Sequence, residues 1–323
     1  RAKMNEILFS YKTRLSPKIF KILEADAESY IRDTWRVQLY FDLCQYATND
    51  TLKNSAIKAF GDYKFPDLKI EDEIAAISWW YQINALGQIR IDLAFLRGGD
   101  GRAMTLQDYI NTIIIRYSGA IRDKLLIQCL MDAGYRANSN QSFPEEYEYC
   151  LQQAAAIVEN AAYKRMILDR YNKIKRGAAV FDFCLPDTTG RQICLHDYLG
   201  KVILLDVWGT GCTGCADFAR KYKEEISPKF KGNPDLVKIS ICIDNKRTNW
   251  LKGIYSGLYT DPETINVYTE GKGMANAFVQ NYDIQAIPFI LLIDKKGNIV
   301  SSYLTGGTKA PVIQNLIEGA LAE

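Results

Sequence analysis

The sequence has little of what a metal site or a disulfide-built scaffold needs. Among 323 residues there is one histidine, His196, and the eight cysteines include a single C-x-x-C pair. Structural zinc sites take four cysteine or histidine ligands in closely spaced pairs, so we expect no metal site. Eight cysteines in a chain of this length are also too sparse for a scaffold built on disulfides.

Long apolar runs and blocks of like charge are also missing. The longest apolar runs, residues 202–205 and 289–293, fall far short of the roughly 18 residues that a membrane span needs. Forty basic residues nearly balance thirty-eight acidic ones and no basic stripe stands out, so we expect no nucleic-acid partner. The chain begins at Arg1 without a methionine or a charged-then-apolar leader. We therefore expect a processed or trimmed product from which any signal peptide or lipid anchor has been removed.

What is present is a globular composition in two halves of different pattern. Hydrophobic residues make up 48% of the chain and charged residues 24%, and 323 residues suffice for two domains. Along residues 1–176 apolar residues recur at helical spacing, with no internal repeat and no cluster of catalytic residue types. Cys44, Cys129 and Cys150 lie on these apolar stripes, either as small buried residues or as partners in a helix-to-helix disulfide. We predict an all-α domain of unknown role over residues 1–176.

From residue 177 onward, predicted strands alternate with helices. Apolar runs predict buried strands over 202–208 and 237–243, with a helix over 214–231 between them. The later elements follow in order: a helix near 273–281, a strand from Phe289, a strand from Ile299 and a closing helix from Pro311. This order predicts an α/β domain over residues 177–323, with a mixed central sheet flanked by helices.

A β-hairpin is predicted at the start of this half, over residues 181–195, around a Pro-Asp-Thr-Thr-Gly turn. Four of its residues alternate as core-facing positions: Phe183, Leu185, Ile193 and Leu195. The same alternation puts Cys184 and Cys194 on the opposite face. A three-residue loop centred on Thr189 places these two cysteines directly opposite each other, within reach of a disulfide, whereas a four-residue loop separates them. A second disulfide and two unpaired, half-exposed thiols therefore both remain open.

The pair Cys212 and Cys215 carries the strongest chemical signal. It follows directly after a buried strand, at the point where the next helix is predicted to begin. Free backbone N–H groups and the helix dipole favour a thiolate there, so cysteine pKa values fall from ~8.5 to roughly 3.5–7.5. The first cysteine then attacks a disulfide and the second resolves the mixed disulfide. Thr213 and Gly214 keep the turn small and allow a substrate to approach closely.

Two residues outside the pair strengthen this interpretation. Asp206, six residues before Cys212, is a carboxylate within an apolar strand, and a buried acid is unfavourable unless it is paired. It is either a proton carrier for Cys215 or a structural acid with its own hydrogen-bond partners. Far downstream, Pro288 precedes an apolar strand, a position where proline is tolerated. A cis bond there brings the Ile287 backbone beside the thiols.

Taken together, these motifs resemble the thioredoxin superfamily, and within it the TlpA/ResA-like branch of bacterial proteins that work outside the cytoplasm. The resemblance rests on residues 200–215 and 284–298, which contain the cysteine pair and Pro288. Residues 182–201 are similar to the extra N-terminal hairpin of that branch, and 265–282 to its later inserted helix region. It covers residues 178–323. The helical half resembles, in pattern only, the preceding region of long multidomain relatives.

The resemblance implies roles for individual residues. Cys212 is the nucleophile, Cys215 the resolving thiol, and Pro288 the cis-proline that faces them. Trp208 packs behind the disulfide, and Asp206 matches the buried acid of ordinary thioredoxins, where this branch often has asparagine. The expected substrate-contacting residues are Trp208, Gly211, Thr213, Gly214 and Ile287.

Three departures from the family pattern affect substrate choice and redox potential rather than the chemistry. Gly211 stands where an aromatic residue usually precedes the first cysteine. Phe218 stands where some relatives have an acid. The proline that often kinks the helix after the motif is absent, with Arg220 and Lys221 in that stretch.

The resemblance also implies an activity and a setting. The activity is thiol–disulfide exchange with cysteines of other proteins, without a bound cofactor. The setting is the bacterial periplasm or cell envelope, with any membrane anchor in a segment absent from this chain. The expected partners are cysteine-containing protein substrates and an upstream electron donor such as a membrane-bound thiol reductase.

Two other functions are compatible with parts of this pattern. A redox-quiet thioredoxin-fold binding or folding module would keep the fold without a fast-reacting thiol. A thiol peroxidase is disfavoured because peroxidatic sites resemble the pattern Pro-x-x-x-Thr-x-x-Cys. Here Thr210 stands only two residues before Cys212, and no proline stands at the position that this pattern requires. Asp206, as a base for Cys215, favours a reductase or an isomerase over an oxidant.

Overall fold

The computed structural model describes residues 2–45, 51, 54, 55, 58, 70–96, 105–137, 144–304 and 306–323. Side chains are described except at residues 35–45, 94–96, 132–137, 144–145 and 303. Packing divides the chain into two compact units, Arg1–Leu130 with Gln153–Arg165, and Met131–Gln152 with Met166–Glu323. This grouping does not test which segments fold alone, so the domain boundary between residues 176 and 177 stays a prediction.

The N-terminal half is helical, as predicted. Its described helices are α1 (Ala2–Ser10), α2 (Pro17–Gln45), α3 (Asp72–Ala75), α4 (Trp79–Leu96), α5 (Leu106–Arg116), α6 (Gly119–Ala137), α7 (Pro144–Ile157) and α8 (Ala161–Ile174). Thr105 begins α5 with a reciprocal capping box to Asp108. The Asp72 carboxylate accepts hydrogen bonds from the N–H groups of Ala120 and Ile121 at the start of α6 (2.8 and 2.9 Å).

The cysteines of this half are small buried residues where their side chains are described. Cys129 and Cys150 are both buried, which confirms that part of the prediction. Burial raises the pKa of the Cys150 thiol to about 12, so it is a poor nucleophile at neutral pH. The side chain of Cys44 lies outside the described residues.

The C-terminal half has the predicted α/β fold. Its strands are β1 (Cys184–Pro186), β2 (Gln192–Cys194), β3 (Val202–Trp208), β4 (Leu236–Cys242), β5 (Ile265–Tyr268), β6 (Phe289–Ile293) and β7 (Ile299–Leu304). Its helices are α9 (Thr213–Lys221), α10 (Arg247–Ser256), α11 (Ala277–Asn281) and α12 (Ala310–Ala322). The last five strands form one sheet in the order β5-β4-β3-β6-β7. β3, β4 and β5 are parallel, and β6 is antiparallel to both β3 and β7, which makes the sheet mixed.

One predicted helix differs in detail. The helix expected over 214–231 is α9 followed by a π-helical turn, Tyr222–Ile226, and a 3-10 turn, Ser227–Phe230. Proline at the start of the last turn accounts for the break in the α-helical pattern. Neither α10 nor the edge strand β5 was expected from the sequence.

The alternation of side chains along the central strand, β3, positions the residues of the candidate site. Every residue of β3 is buried. Val202 and Leu204 pack with Phe218 of α9 and with Ile290 and Leu292 of β6. Asp206 and Trp208 continue the same face of β3, because side chains alternate along a strand.

Among the residues that the structure describes, no helix combines the length and the apolar character needed to cross a membrane.

The predicted hairpin is formed by β1 and β2. The Asp187 N–H donates to the Arg191 carbonyl (2.8 Å), which closes a three-residue loop around Thr189. Cys184 is thereby paired with Cys194, and the structure contains a disulfide between them, with Cα atoms 4.0 Å apart. The four apolar residues expected to face the core are all buried: Phe183, Leu185, Ile193 and Leu195.

Candidate active site

The predicted nucleophile and resolving thiol meet at the junction of β3 and α9. Cys212 is the N-cap of α9, and a disulfide joins it to Cys215 one turn later. The Cys215 N–H donates to Cys212 Sγ (3.1 Å). Cys212 is half-buried, whereas Cys215 is only 3% exposed. An incoming sulfur therefore reaches Cys212 first, at the end of the helix that stabilises negative charge.

Pro288 lies against this pair, on the loop that leads into β6. The Ile287–Pro288 peptide bond is cis, and the Ile287 carbonyl oxygen lies 3.6 Å from Cys212 Sγ. The Pro288 ring packs so closely on Gly214 that a Cβ at Gly214 would lie 3.2 Å from Pro288 Cδ. Gly306 completes the contact, since a Cβ there would lie 3.1 Å from the Gly214 carbonyl oxygen. Glycine at both positions therefore permits three backbone segments to meet beside the disulfide.

Lys221 of α9 forms hydrogen bonds to the segment that contains Gly306. Its ammonium donates to the carbonyl oxygens of Gly306 (2.6 Å) and Thr308 (2.8 Å). Burial lowers the pKa of Lys221. Sequence reasoning noted Lys221 only as a departure from the family's proline; in the structure it joins α9 to the loop after β7.

Trp208 fills the space behind the disulfide. It has no exposed surface and packs in one cluster with Cys215. Its ring stacks on Tyr259, with centroids 5.1 Å apart, and the Tyr259 hydroxyl accepts a hydrogen bond from the Gly211 N–H (2.9 Å). Gly253 of α10 lies against the other edge of the ring. Because Trp208 is fully buried, it supports the site from behind and offers no surface to a substrate, which corrects its expected place among the substrate contacts.

The other four expected substrate contacts do border the pair. Gly211 and Thr213 are exposed, and Gly214 and Ile287 are partly exposed. The loop that carries Gly211 is anchored through Thr210, whose N–H donates to Asp244 Oδ1 (2.9 Å).

Asp206 is buried in a small polar cluster on the face of the sheet that α9 covers. The Ser240 hydroxyl donates to Asp206 Oδ1, and the Lys238 ammonium lies 3.8 Å from the same oxygen. Lys238 also lies 3.5 Å from Asp261 and over the Tyr222 ring. Burial raises the pKa of Asp206 above its ordinary value, and Lys238 opposes the rise. The raised pKa makes this carboxylate a stronger proton acceptor than an ordinary aspartate, and its partners also give it a structural role.

Several residues of this site were not found from the sequence. Lys238 gives the same signal as Asp206, a charged residue in a buried strand. Asp244 stands two residues after the end of β4, and the carboxyl ends of the parallel strands β3 and β4 meet at one edge of the sheet. Tyr259 and Gly253 give no comparable sequence signal, because their role depends on how α10 packs on Trp208.

The remaining predicted residues, Cys184 and Cys194, lie in the hairpin and are bonded to each other. Cys184 is exposed and Cys194 half-buried.

Comparison with known proteins agrees with this geometry. A family profile described as thioredoxin-like matches residues 200–299. The thiol-disulfide oxidoreductase ResA of Geobacillus thermodenitrificans is 30% identical over 141 residues, which cover 43% of this chain and 75% of that relative. ResA of Bacillus anthracis is 28% identical over 147 residues, covering 46% of this chain and 79% of that relative.

A solved structure extends the likeness of fold into the helical half. A thioredoxin-like protein from Bacteroides caccae superposes with a TM-score of 0.52 at 20% identity, covering 79% of this chain and 96% of that one. The chain is 30% identical to a ResA over 75% of that relative's length. The cysteine pair at a helix start and the mixed sheet are further evidence of common descent. The chain belongs to the TlpA/ResA-like branch of the thioredoxin superfamily.

Proposed function

We propose that Cys212 and Cys215 form the working pair of a thiol–disulfide oxidoreductase that exchanges disulfides with cysteines of other proteins. The single observation that carries this proposal is the disulfide itself: its first sulfur is partly exposed at a helix N-terminus and its second is buried one turn later. The ResA relatives are named thiol-disulfide oxidoreductases, which supports the same activity for this chain.

The geometry supports a sequence of two exchanges. In the reduced protein, the Cys212 thiolate accepts a hydrogen bond from the Cys215 N–H and attacks one sulfur of a substrate disulfide. The other substrate sulfur leaves as a thiolate and takes a proton. Cys215 then loses its proton and attacks Cys212 Sγ, which releases the second substrate thiol and re-forms the Cys212–Cys215 disulfide. Two electrons and two protons pass to the substrate.

The base that accepts the Cys215 proton is the Asp206 carboxylate in this proposal. It lies on the face of β3 that α9 covers, two residues before Trp208 on the same face. Trp208 in turn packs with Cys215. Its raised pKa makes the Asp206 carboxylate a stronger base than an ordinary aspartate. A base that serves the resolving thiol speeds the reduction of a substrate, so we favour a reductase or an isomerase.

The substrate contacts of the proposal are backbone groups. Gly211, Thr213 and Gly214 leave the approach to Cys212 free of large side chains. The cis bond turns the Ile287 backbone toward the disulfide, where an extended substrate segment can align beside it.

The setting of the proposal is the bacterial cell envelope, with substrates that contain cysteine and an upstream thiol reductase as electron donor. A redox-quiet binding module is the alternative, and no observation favours it. The two differ in one property, a thiol in the reduced protein that reacts fast near neutral pH.

Two variants test the working pair. We expect Cys212→Ser to abolish reduction of insulin disulfides, because the attacking sulfur is lost. We expect Cys215→Ser to trap a mixed disulfide that mass spectrometry detects. Cys129→Ala, in α6 of the helical half, is the matched control for loss of a buried cysteine and should retain activity. Faster alkylation of Cys215 than of Cys212 in the reduced protein would reverse the assigned roles.

A further inference from the structure

The hairpin disulfide differs from a buried structural bridge in its access to solvent. Cys184 is exposed and Cys194 half-buried, on the face opposite the four core residues of the hairpin. Among the described cysteines outside the two disulfides, Cys129, Cys150 and Cys242 are all buried. A dithiol in solution can therefore reach Cys184 Sγ directly.

The hairpin is also held together without this bridge. The Leu195 N–H donates to the Phe183 carbonyl (3.0 Å) on one side of the cysteine pair, and the Asp187 N–H to the Arg191 carbonyl (2.8 Å) on the other. The Asp187 carboxylate also caps the turn through the Thr189 N–H (2.8 Å). The disulfide joins two residues that the backbone already pairs, so its reduction leaves the hairpin in place.

A proton donor lies beside the bridge. A ring nitrogen of His196 and the two sulfurs of Cys184 and Cys194 all lie within 4.8 Å of one another. The Asp182 carboxylate holds the histidine twice, at the ring Nδ1 (2.7 Å) and at the backbone N–H (3.2 Å). His196 is the single histidine of the chain.

The charges around His196 favour its protonated form. The hydrogen bond and charge of Asp182 raise the pKa of the imidazole. Asp197, whose carboxylate lies 3.7 Å from the ring Nε2, acts in the same direction. Among the residues that the structure describes, these two carboxylates are the charged groups that act on the ring.

We infer that the Cys184–Cys194 disulfide is a second thiol–disulfide exchange site, in which His196 gives the departing thiolate its proton. Its substrate is a dithiol of the kind that thioredoxin-fold proteins present, because the second thiol is needed to resolve the mixed disulfide. This goes beyond the proposed function, which uses the Cys212–Cys215 pair alone.

The exchange balances in two steps. A thiolate of the incoming dithiol attacks Cys184 Sγ, the Cys184–Cys194 bond breaks, and Cys194 leaves with a proton from the imidazolium of His196. Neutral His196 then takes the proton of the second incoming thiol, which attacks the mixed disulfide. Cys184 leaves as a thiolate and is protonated. The hairpin disulfide is reduced to two thiols, and the incoming dithiol is oxidised to a disulfide.

The first test uses the wild-type chain and separates the two disulfides by peptide. The oxidised protein is incubated with graded ratios of reduced to oxidised glutathione, quenched in acid, alkylated and digested, and both cysteine-pair peptides are quantified. We expect the hairpin pair to become reduced within this series while far-UV circular dichroism stays unchanged. A hairpin disulfide that stays oxidised in excess reduced glutathione, or a loss of structure on its reduction, overturns the inference. The Cys212–Cys215 peptide reports separately on the proposed function.

The second test concerns the proton donor. The rate at which dithiothreitol reduces the hairpin pair is measured against pH for wild type, His196→Gln and Asp182→Asn. Because the ionisation of dithiothreitol affects both proteins equally, its contribution cancels in the ratio of the wild-type rate to the His196→Gln rate. We expect this ratio to be several-fold at acid pH and to fall to one as His196 loses its proton. For Asp182→Asn we expect the fall to occur at lower pH.

Arg191→Gln is the matched control, an exposed charge on the same hairpin that pairs with Asp187. Its profile should coincide with that of wild type. A ratio of one at every pH for His196→Gln overturns the role of the histidine.

Discussion

Gly253 lies on α10 where the ring of Trp208 presses against the helix. A Cβ at this position would lie 2.7 and 2.8 Å from two carbons of the ring, closer than real carbon atoms approach, and 3.3 Å from Thr210 Oγ1. The ring has no room to move away, because it is fully buried and stacked on Tyr259 at 5.1 Å. Gly253→Ala is therefore an overpacking change directly behind the Cys212–Cys215 disulfide.

Two opposing effects set the magnitude. Alanine stabilises a helix interior by about 1 kcal/mol relative to glycine. Overpacking a well-packed core costs about 1–3 kcal/mol, and two contacts with a rigid ring put Gly253→Ala near the upper end. We expect a net destabilisation of about 2 kcal/mol, which corresponds to a roughly 30-fold larger opening constant for β3 and α10.

Hydrogen exchange measured by mass spectrometry reports the change in stability separately for each segment. This suits a chain of two compact units, for which a single free energy of unfolding is not well defined. Gly319→Ala is the control, because Gly319 lies on α12 and a Cβ there meets nothing within 4 Å. We expect Gly319→Ala to slow exchange in α12 slightly and Gly253→Ala to speed exchange in β3 and α10. If Gly253→Ala instead protects its helix as Gly319→Ala does, the reasoning about Trp208 is refuted.

Further predictions concern the polar cluster and the hairpin. Burial raises the pKa of Asp206, so the stability that this group contributes is present below the ordinary carboxyl pKa and lost as pH rises through the raised value. Asp206→Asn should thus gain stability relative to wild type as pH rises above the ordinary carboxyl pKa of about 4 in parallel urea titrations, and a constant difference would contradict the raised pKa. Lys238→Met leaves the carboxylates of Asp206 and Asp261 without their cation and should cost about 3 kcal/mol by the same titration, with no loss counting against the buried pairing. Replacing both Cys184 and Cys194 by alanine opens a loop of sequence separation 10 and should destabilise the protein by about 2.7 kcal/mol, again by urea titration; an effect near zero would show that the bridge does not constrain the unfolded chain.

Much of the site was predictable because its signals are local. The apolar run of β3, followed at once by the cysteine pair, indicates a helix that begins at the pair, and α9 begins at Thr213 with Cys212 as its N-cap. Pro288 before an apolar strand indicated a backbone loop beside the thiols, and the cis bond lies at that position. Periodicity and capping act over a few residues, so a sequence is sufficient to place such features.

The hairpin shows where local rules reach their limit. The alternation of apolar residues determined that Cys184 and Cys194 share a face, but not that they are opposite each other. That depended on the loop length, which the hydrogen bond between Asp187 and Arg191 sets in the structure. A change of one residue in the loop shifts the pairing of the strands, and two loop lengths suited the same turn residues.

The residues behind and below the disulfide were decided by tertiary structure alone. Trp208 meets Gly253 and Tyr259 because α10, which the sequence analysis did not predict, packs on the end of β3. Asp206 meets Lys238 because β4 lies beside β3 in parallel register. The residues of each set are tens of positions apart, and no local preference relates them. The sequence alone thus determined the position of the cysteine pair and the fold that presents it. The order of the strands and the packing of α10 decided which side chains hold that pair in place and set the pKa of the acid beneath it.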